Sequence, residues 1–384
     1  MRPLEVPQGS FELRRMPELP DDRLQAWDAA DEYALRHIAE AELAPPHSVV
    51  VVVNDRFGAL TVALTSAGSD LRLLGLSDSL LSQRATRSNL DRNGLNGSAA
   101  NFRDCLPPPA GDPAPAPAAL VLFRVPKSLA MLEHQLHLLR PFLTPETRIL
   151  GSGMTRHVHR STLELCQRIL GPTRTSLAYR KARLIHPEFD PDLEPAPNPH
   201  PSQFSCPELG LDLFSHASVF SRDHLDLGTR FLLQQIPATT GPSRVVDLGC
   251  GNGALGLAAA RANPKAHPIF TDESFMAVDS ARRSFREAFG DRPAEFRVED
   301  GLAGIPDASV DLVLNNPPFH ADHAVSDLTA ERMFADAARA LRPGGSLWVV
   351  GNAHLGHHKR LDRYFGDHQL MDRKRRFVVL RAQR

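Results

Sequence analysis

Short apolar runs alternate along this chain with longer stretches in which apolar residues recur every three or four positions. In the second half the runs are Arg244–Leu248, Pro268–Thr271, Glu295–Val298, Val310–Leu314 and Ser346–Val350. Each has the length of a strand. Between them lie the helical patterns Leu257–Ala262, Phe275–Phe289 and Ala330–Leu341, the last stopped by Arg342-Pro-Gly-Gly. Strands alternating with helices of these lengths predict an α/β fold, a mostly parallel sheet with helices on both faces.

The first half repeats the order. Val49–Val53 followed by Phe57-Gly-Ala-Leu60 matches Val245–Asp247 followed by Asn252-Gly-Ala-Leu255. Ser77-Asp-Ser79 matches Thr271-Asp-Glu273, Leu120-Val-Leu with Pro126 matches Leu312-Val-Leu with Pro318, and Arg140-Pro141 matches Arg342-Pro343. Ordered matches at a nearly constant offset imply duplication, hence two tandem Rossmann-like domains. The boundary is expected in the proline-rich stretch, giving 1–186 as the first domain, 187–206 as a linker and 207–384 as the second domain. The copies differ where chemistry would sit. Asp247-Leu-Gly-Cys-Gly-Asn-Gly253 corresponds to Val52-Val-Asn-Asp-Arg-Phe-Gly58, and Asn316-Pro-Pro-Phe319 to Arg124-Val-Pro-Lys127. The first domain therefore reads as degenerate and the second as catalytic.

A chain of 384 residues suits two domains. Its 44 Lys and Arg against 45 Asp and Glu give a net charge of −1, which excludes a globally basic binder but not a local basic patch. Cys105, Cys166, Cys206 and Cys250 form no close pair, so neither a zinc knuckle nor a disulfide framework is expected and a reducing cytoplasm fits. From the proline-broken N-terminus no ordinary signal peptide is expected, and no apolar run approaches a membrane span.

Gly249, Gly251 and Gly253 follow a strand directly and open a helix, so backbone there can approach a ligand closely. Asp272 ends the next strand, where an acid can accept ribose hydroxyls. Asp300 ends the third, where it could accept from an adenine amino group. The order Asp-Leu-Gly-Cys-Gly-Asn-Gly differs from the G-x-G-x-x-G of pyrophosphate binders and resembles motif I of class I S-adenosylmethionine-dependent methyltransferases. After the fourth strand, Asn316-Pro317-Pro318 removes two backbone donors and leaves acceptors beside the Phe319 ring. That combination suits a planar substrate bearing an amino group, held by hydrogen bonds and stacked on the ring.

Val219-Phe-Ser-Arg-Asp-His-Leu-Asp226, the glycine loop and Asn315-Asn-Pro-Pro-Phe-His320 together resemble the bacterial ribosomal RNA guanine-N2 methyltransferases. Gly153-Met-Thr-Arg-His-Val-His159, Leu170–Arg174 and Lys181–Leu184 bring the chain nearer to the branch acting on large-subunit (23S) RNA than to the small-subunit branch. The resemblance implies S-adenosylmethionine as cofactor, with Asp247, Gly249, Gly251, Gly253, Asp272 and Asp300 at cofactor positions. It puts Asn316, Pro317 and Phe319 at the target base, and Phe220 and Arg222 over the methionine end. It implies 23S ribosomal RNA as partner, free or in a large-subunit assembly intermediate.

Basic residues cluster at the end of each copy. In the first, Arg156, Arg160, Arg174, Arg180, Lys181 and Arg183 are candidates for neutralising RNA phosphates. The histidines at 320, 323, 354, 357 and 358 lack a convincing carboxylate partner, and no metal is expected. Three rival readings remain at this point: a 16S RNA enzyme of the same type, a protein glutamine-N5 methyltransferase, and an RNA-binding assembly factor without turnover.

Overall fold

The structure, a computed structural model, describes residues 2–18, 24–68, 70–109, 111–238, 241, 243–318 and 323–384, without the side chains of 99 and 323–326. The chain forms two compact units, Met1–Pro199 and His200–Arg384.

The first unit runs β1 (Leu4–Val6), β2 (Gly9–Phe11), α1 (Ala29–Glu40), β3 (Val49–Val53), α2 (Ala59–Ser66), β4 (Arg72–Leu76), α3 (Leu80–Arg92), β5 (Asn101–Arg103), β6 (Leu120–Arg124), α4 (Leu129–Leu139), β7 (Arg148–Met154), α5 (Arg160–Ile169), β8 (Thr173–Thr175) and β9 (Ala182–Pro187). The second runs β10 (Ser202–Cys206), β11 (Leu211–Ser215), α6 (Leu227–Leu233), β12 (Ser243–Leu248), α7 (Ala254–Ala262), β13 (Ala266–Asp272), α8 (Phe275–Phe289), β14 (Glu295–Val298), β15 (Val310–Asn315), α9 (His323–Ala340), β16 (Leu341–Asn352), α10 (His357–Phe365), β17 (Gln369–Lys374) and β18 (Phe377–Gln383).

The correspondence is complete among the described residues: every strand has its counterpart nine strands on, and every α-helix five helices on. The two large sheets, β5-β4-β3-β6-β7-β9-β8 and β14-β13-β12-β15-β16-β18-β17, have one topology. Register agrees as well, with Val49 opposite Arg72 in one and Arg244 opposite His267 in the other. In each sheet five strands pair in parallel, and β9 or β18 runs antiparallel to both its neighbours, so that six strands share one direction and one opposes them. The duplication reaches the hairpins β1–β2 and β10–β11, which the sequence pattern did not show.

Side chains alternate across the second sheet. Val246, Leu248 and Val313 pack with Phe334, Ala337 and Leu361 of α9 and α10. Val245, Leu312 and Leu314 pack with Phe231, Leu255 and Ala259 of α6 and α7. Strands covered on both faces read as continuous apolar runs, as Val49–Val53 does. Because β13 and β14 lie on one side of β12 and β15 on the other, the chain reverses its order between β12 and β15. Loops after those two strands diverge and leave a crevice at their carboxyl ends.

Three boundaries differ from expectation. The stretch 187–206 is not all linker: Pro187 ends β9, and Ser202–Cys206 pairs with Leu211–Ser215. Helix α9 begins at His323, before the apolar spacing becomes readable. The Arg342-Pro-Gly-Gly segment is drawn into β16, because the backbone of Arg384 bonds both Gly344 (2.8 Å) and Gly345 (3.0 Å).

Candidate functional site

The crevice of the second unit is built from the turn after β12. Gly249, Gly251 and Gly253 all have positive φ, at +70°, +53° and +86°. The turn is pinned from β13: the amides of Gly249 and Cys250 donate to the Thr271 carbonyl at 2.9 and 3.0 Å. Asp272 Oδ2 accepts from the Gly251 amide at 3.1 Å, and its Oδ1 accepts from Ser274 at 3.0 Å. Burial raises the Asp272 carboxyl above its ordinary range, against the pull of those amides. Asp247 lies beneath the turn, 1% exposed, with Oδ2 on the Gly256 amide at 2.7 Å. Burial, together with the charge of Asp272, pushes it up to about 8. In this arrangement Asp247 holds the start of α7, while the turn above it stays open.

The three glycines have different surroundings. A Cβ on Gly251 would meet nothing within 4 Å. One on Gly253 would lie 3.0 and 3.1 Å from Ala281 Cβ and Cα of α8. Gly253 is thus required by helix packing, whereas Gly251 faces open space.

The other wall is the end of β15. Asn315 is fully buried, and its Nδ2 donates to the Leu248 carbonyl at 2.8 Å, tying the two strand ends together. Asn316 Nδ2 donates to Thr229 Oγ1 at 2.8 Å and to Asp226 Oδ2 at 3.2 Å. Asn316 Oδ1 is buried and meets no donor among the described residues. Pro317 follows it, while Phe319, His320 and the His323 side chain lie outside the described residues. Asp226 caps α6 by accepting from the Thr229 amide, so the Asn316 carboxamide is fastened to that helix start. Neither Asp226 nor Thr229 was singled out for this from sequence. Asp226 entered there only as the last residue of the Val219–Asp226 motif, and the two lie 90 and 87 positions from Asn316.

Comparison with known proteins places the whole chain. Residues 1–191 match the family model described as RLMG N-terminal domain, and 210–381 match methyltransferase small domain. Curated relatives named ribosomal RNA large subunit methyltransferase G are 51% identical in Streptomyces avermitilis, over 99% of this chain and 98% of the relative. In Pseudomonas paraeruginosa such a relative is 44% identical, over 98% of both chains. The chain belongs to the ribosomal RNA large subunit methyltransferase G family. A solved structure described as Thermus thermophilus 16S rRNA N2 G1207 methyltransferase in complex with AdoMet and guanosine shares the fold. Its TM-score is 0.75 at 22% identity, over 100% of this chain and 97% of that one.

Within this family member the first unit shows what became of the corresponding crevice. Asn54 stands where Gly249 does and keeps its left-handed backbone, φ +62°. Its side chain bonds Gln135 Oε1 (2.7 Å) and the Arg124 carbonyl (3.0 Å), tying the turn to α4 and the end of β6. Arg56 replaces Gly251 and lies over Phe57. The structural partner of Asp272 is Ser77, not Asp78, because Ser79 and Ser274 cap corresponding helices. The sequence matching was one residue out of step there. Asp55, from within the loop, accepts from the Thr61 amide at 2.7 Å, the counterpart of the Gly256 amide that Asp247 holds.

The remaining predicted site residues are dispersed. Asp300 ends the β14 side of the crevice and pairs with Arg332 of α9. Phe220 is 52% exposed, and Arg222 forms a two-bond pair with its neighbour Asp223. Arg160 pairs with Glu164, Arg174 with Glu188 and Arg180 with Glu32, while Arg156 donates to His157 at 3.0 Å. The first-unit basic group is therefore less charged than its count suggests. Arg183 is half-buried, and its Nε is enclosed without a hydrogen-bond partner among the described residues. Arg180 and Lys181 form the two-residue turn between Tyr179 and Ala182, at φ +47° and +63°. Glycine or asparagine would hold such a turn with less strain. All four cysteines are buried thiols. Among the described residues no helix is long and apolar enough to cross a membrane. His357 is 4% exposed, with its ring against Gly351 and edge-on to Phe334, and so belongs to the core.

Proposed function

We propose that this protein is an S-adenosylmethionine-dependent methyltransferase that methylates the N2 amine of a guanine in 23S ribosomal RNA. The observation that carries the reading is Asn316 Oδ1, a buried acceptor with no donor among the described residues, at the mouth of a crevice whose other wall is the open glycine turn. An acceptor left bare in that position costs free energy unless a ligand's donor completes it. An exocyclic amine supplies such a donor. The family names of the relatives support large-subunit RNA as the substrate class. The same geometry serves a 16S substrate, which the test below separates.

The residues present fit the cofactor. Gly251 leaves open space above backbone that only glycine adopts without strain. Asp272 beneath it offers a carboxylate at the end of β13, where ribose hydroxyls would lie. We place Gly249, Gly251, Gly253, Asp272 and Asp300 along the cofactor, with Asp247 supporting the turn from below and Phe220 and Arg222 near the methionine end. When bound, S-adenosylmethionine supplies an electrophilic methyl group. The protein's part is orientation: Asn316 Oδ1 accepts from the guanine amine, Pro317 removes a competing donor, and Phe319 stacks on a base brought out of its stack. No strong base is required, because the amine proton can leave after the methyl has moved.

The first unit, in which Asn54 and Arg56 replace two of the three turn glycines, is assigned to RNA docking. The strained Arg180-Lys181 turn supports this, since strain of that kind concentrates at functional positions. Buried thiols and the ribosomal substrate accord with the cytoplasm.

The test uses purified full-length protein, labelled S-adenosylmethionine, and 23S and 16S RNA made without modifications, followed by digestion to nucleosides. Labelled N2-methylguanosine from 23S RNA alone is the expected result. Label from 16S RNA alone overturns the substrate and keeps the chemistry. Label in neither RNA nor in isolated large-subunit particles overturns the activity.

A further inference from the structure

We infer that Asp226 and Thr229 are positioning residues, which hold the Asn316 carboxamide so that its oxygen rather than its nitrogen faces the substrate. The inference rests on the proposed amine-methylating role of this site.

A carboxamide is nearly symmetrical in shape, so packing alone cannot decide which end points where. Hydrogen bonding decides it. Both N–H groups of Asn316 are engaged outward from the site, one by Thr229 Oγ1 at 2.8 Å and one by Asp226 Oδ2 at 3.2 Å. Rotating the amide by half a turn would set its oxygen against the Asp226 carboxylate, acceptor facing acceptor. The amine would then face a site whose substrate also presents a donor. Thr229 alone would not prevent the rotation, because a hydroxyl can donate as readily as accept. Asp226 does, because its carboxylate can only accept. The same Oδ2 also caps α6 through the Thr229 amide at 2.9 Å, so the carboxylate is itself fixed.

A second observation comes from the first unit, where the same three positions are linked with different chemistry. Arg124 stands where Asn316 does. Its guanidinium donates to Asp28 at 2.8 Å and pairs with Asp31 at 3.1 Å. Asp28 caps α1 as Asp226 caps α6, and Asp31 stands three residues on, as Thr229 does. A strand-end side chain tied to the first two polar positions of this helix is thus built twice. In the first unit the linkage uses a cation and presents no acceptor. In the second it uses an amide and presents one.

Thr229→Val removes the acceptor hydroxyl at constant shape, and Thr229→Ser keeps it. Asp226→Asn keeps a good helix cap but can turn to face either end of the Asn316 amide. With unmodified 23S RNA, Thr229→Val and Asp226→Asn are expected to lower kcat between about tenfold and a hundredfold. The KM for RNA and the Kd for S-adenosylmethionine should stay within about twofold of wild type, and Thr229→Ser should restore kcat. Pairing Asp226→Asn with Asn316→Asp restores a donor–acceptor bond and leaves one oxygen facing substrate. Its kcat should exceed that of Asn316→Asp alone by at least about tenfold. A second readout needs neither cofactor nor turnover. In protein labelled with 15N-asparagine, the Asn316 side-chain NH2 pair, assigned by its loss in Asn316→Ala, should exchange slowly with water. Exchange should accelerate at least about tenfold in Thr229→Val and Asp226→Asn. An active wild type with unchanged kcat in both variants overturns the inference, as does free-amide exchange of Asn316 in wild type. A wild type that methylates no RNA overturns the proposed function instead, and the exchange measurement still decides the positioning.

Discussion

Gly251 and Gly253 share a left-handed backbone and sit two residues apart, yet alanine at each should fail in opposite ways. At Gly253, φ +86°, a Cβ would lie 2.8 Å from Leu257 Cδ1 and 3.1 Å from the Ala281 Cα, so helix α8 itself must yield. Left-handed strain costs about 1–2 kcal/mol for an alanine, and overpacking adds about 1–3 kcal/mol. The sum, about 2–5 kcal/mol, corresponds to about 4–20 °C in the thermal transition of a unit this size. Gly251 has φ +53°, near the best left-handed geometry for a side chain, and its Cβ would touch nothing. Gly251→Ala should therefore cost about 1 kcal/mol, or about 2–4 °C. Its methyl would instead stand in the space assigned to the cofactor. A clash worth about 1–3 kcal/mol weakens binding by about 5- to 150-fold. Scanning calorimetry and titration with S-adenosylmethionine, both on the full chain, read the two effects separately. The first unit supplies a control. Gly58, at φ +87°, has its Cβ position 2.9 Å from Thr86 Cα, the counterpart of Ala281, so Gly58→Ala should destabilise that unit as Gly253→Ala does the other. Equal thermal losses for Gly251→Ala and Gly253→Ala, or unchanged cofactor affinity in Gly251→Ala, would refute the reasoning.

Three further outcomes follow from particular side chains. Burial holds the His357 imidazole down at about 4 from an ordinary value of 6.5. Between those values the unfolded chain binds a proton that the folded one does not. Stability of the second unit is then fully present above pH 6.5 and falls by about 1.4 kcal/mol per pH unit on the way to pH 4. His357→Phe should flatten that slope in urea titrations at pH 7, 6 and 5. Arg124→Ala strands the buried Asp31, so the first unit should lose about 3 kcal/mol in denaturant unfolding. Cofactor affinity should stay unchanged, and a loss of affinity would contradict the assignment of the cofactor to the second unit. Lys181→Gly relieves a left-handed lysine and should leave stability within about 1 kcal/mol of wild type or above it. If Lys181 meets an RNA phosphate, the slope of log affinity against log salt should fall by about 0.7–0.9. An unchanged slope removes Lys181 from the RNA surface.

The central strands of the second unit were readable because both faces of its sheet are covered, so residues 245–246, 312–314 and 347–350 appear as apolar runs. The glycine turn was readable because positive φ at three positions leaves glycine as the residue that fits without strain. Other features were not readable for physical reasons. Asp226 and Thr229 meet Asn316 only through the sheet's order of strands. At the start of α6 a capping aspartate and a threonine look like any helix beginning. Arg156, Arg160, Arg174, Arg180, Lys181 and Arg183 were counted as charges; Glu188 and Glu32, which pair with Arg174 and Arg180, come from other elements of the unit, whereas Glu164 lies one helical turn from Arg160 and was readable at that spacing.

Duplication turns the chain into its own control. Where both copies keep one conformation, the fold requires it: Gly58 and Gly253 both open a helix at nearly the same positive φ, and Ser79 and Ser274 cap corresponding helices. The Asp55 carboxylate even replaces that of Asp247 on the matching helix amide, from a different place in the loop. Stability can be rebuilt in this way from any carboxylate that reaches. Where the copies part, the fold has no stake. Gly251 becomes Arg56, Asp272 becomes Ser77 and Asn316 becomes Arg124, each without disturbing the sheet. Positions that one copy could abandon while keeping every strand and helix are those whose residue types answer to a ligand. By this criterion Gly253 belongs to the fold, and we assign Gly251, Asp272 and Asn316 to the proposed reaction.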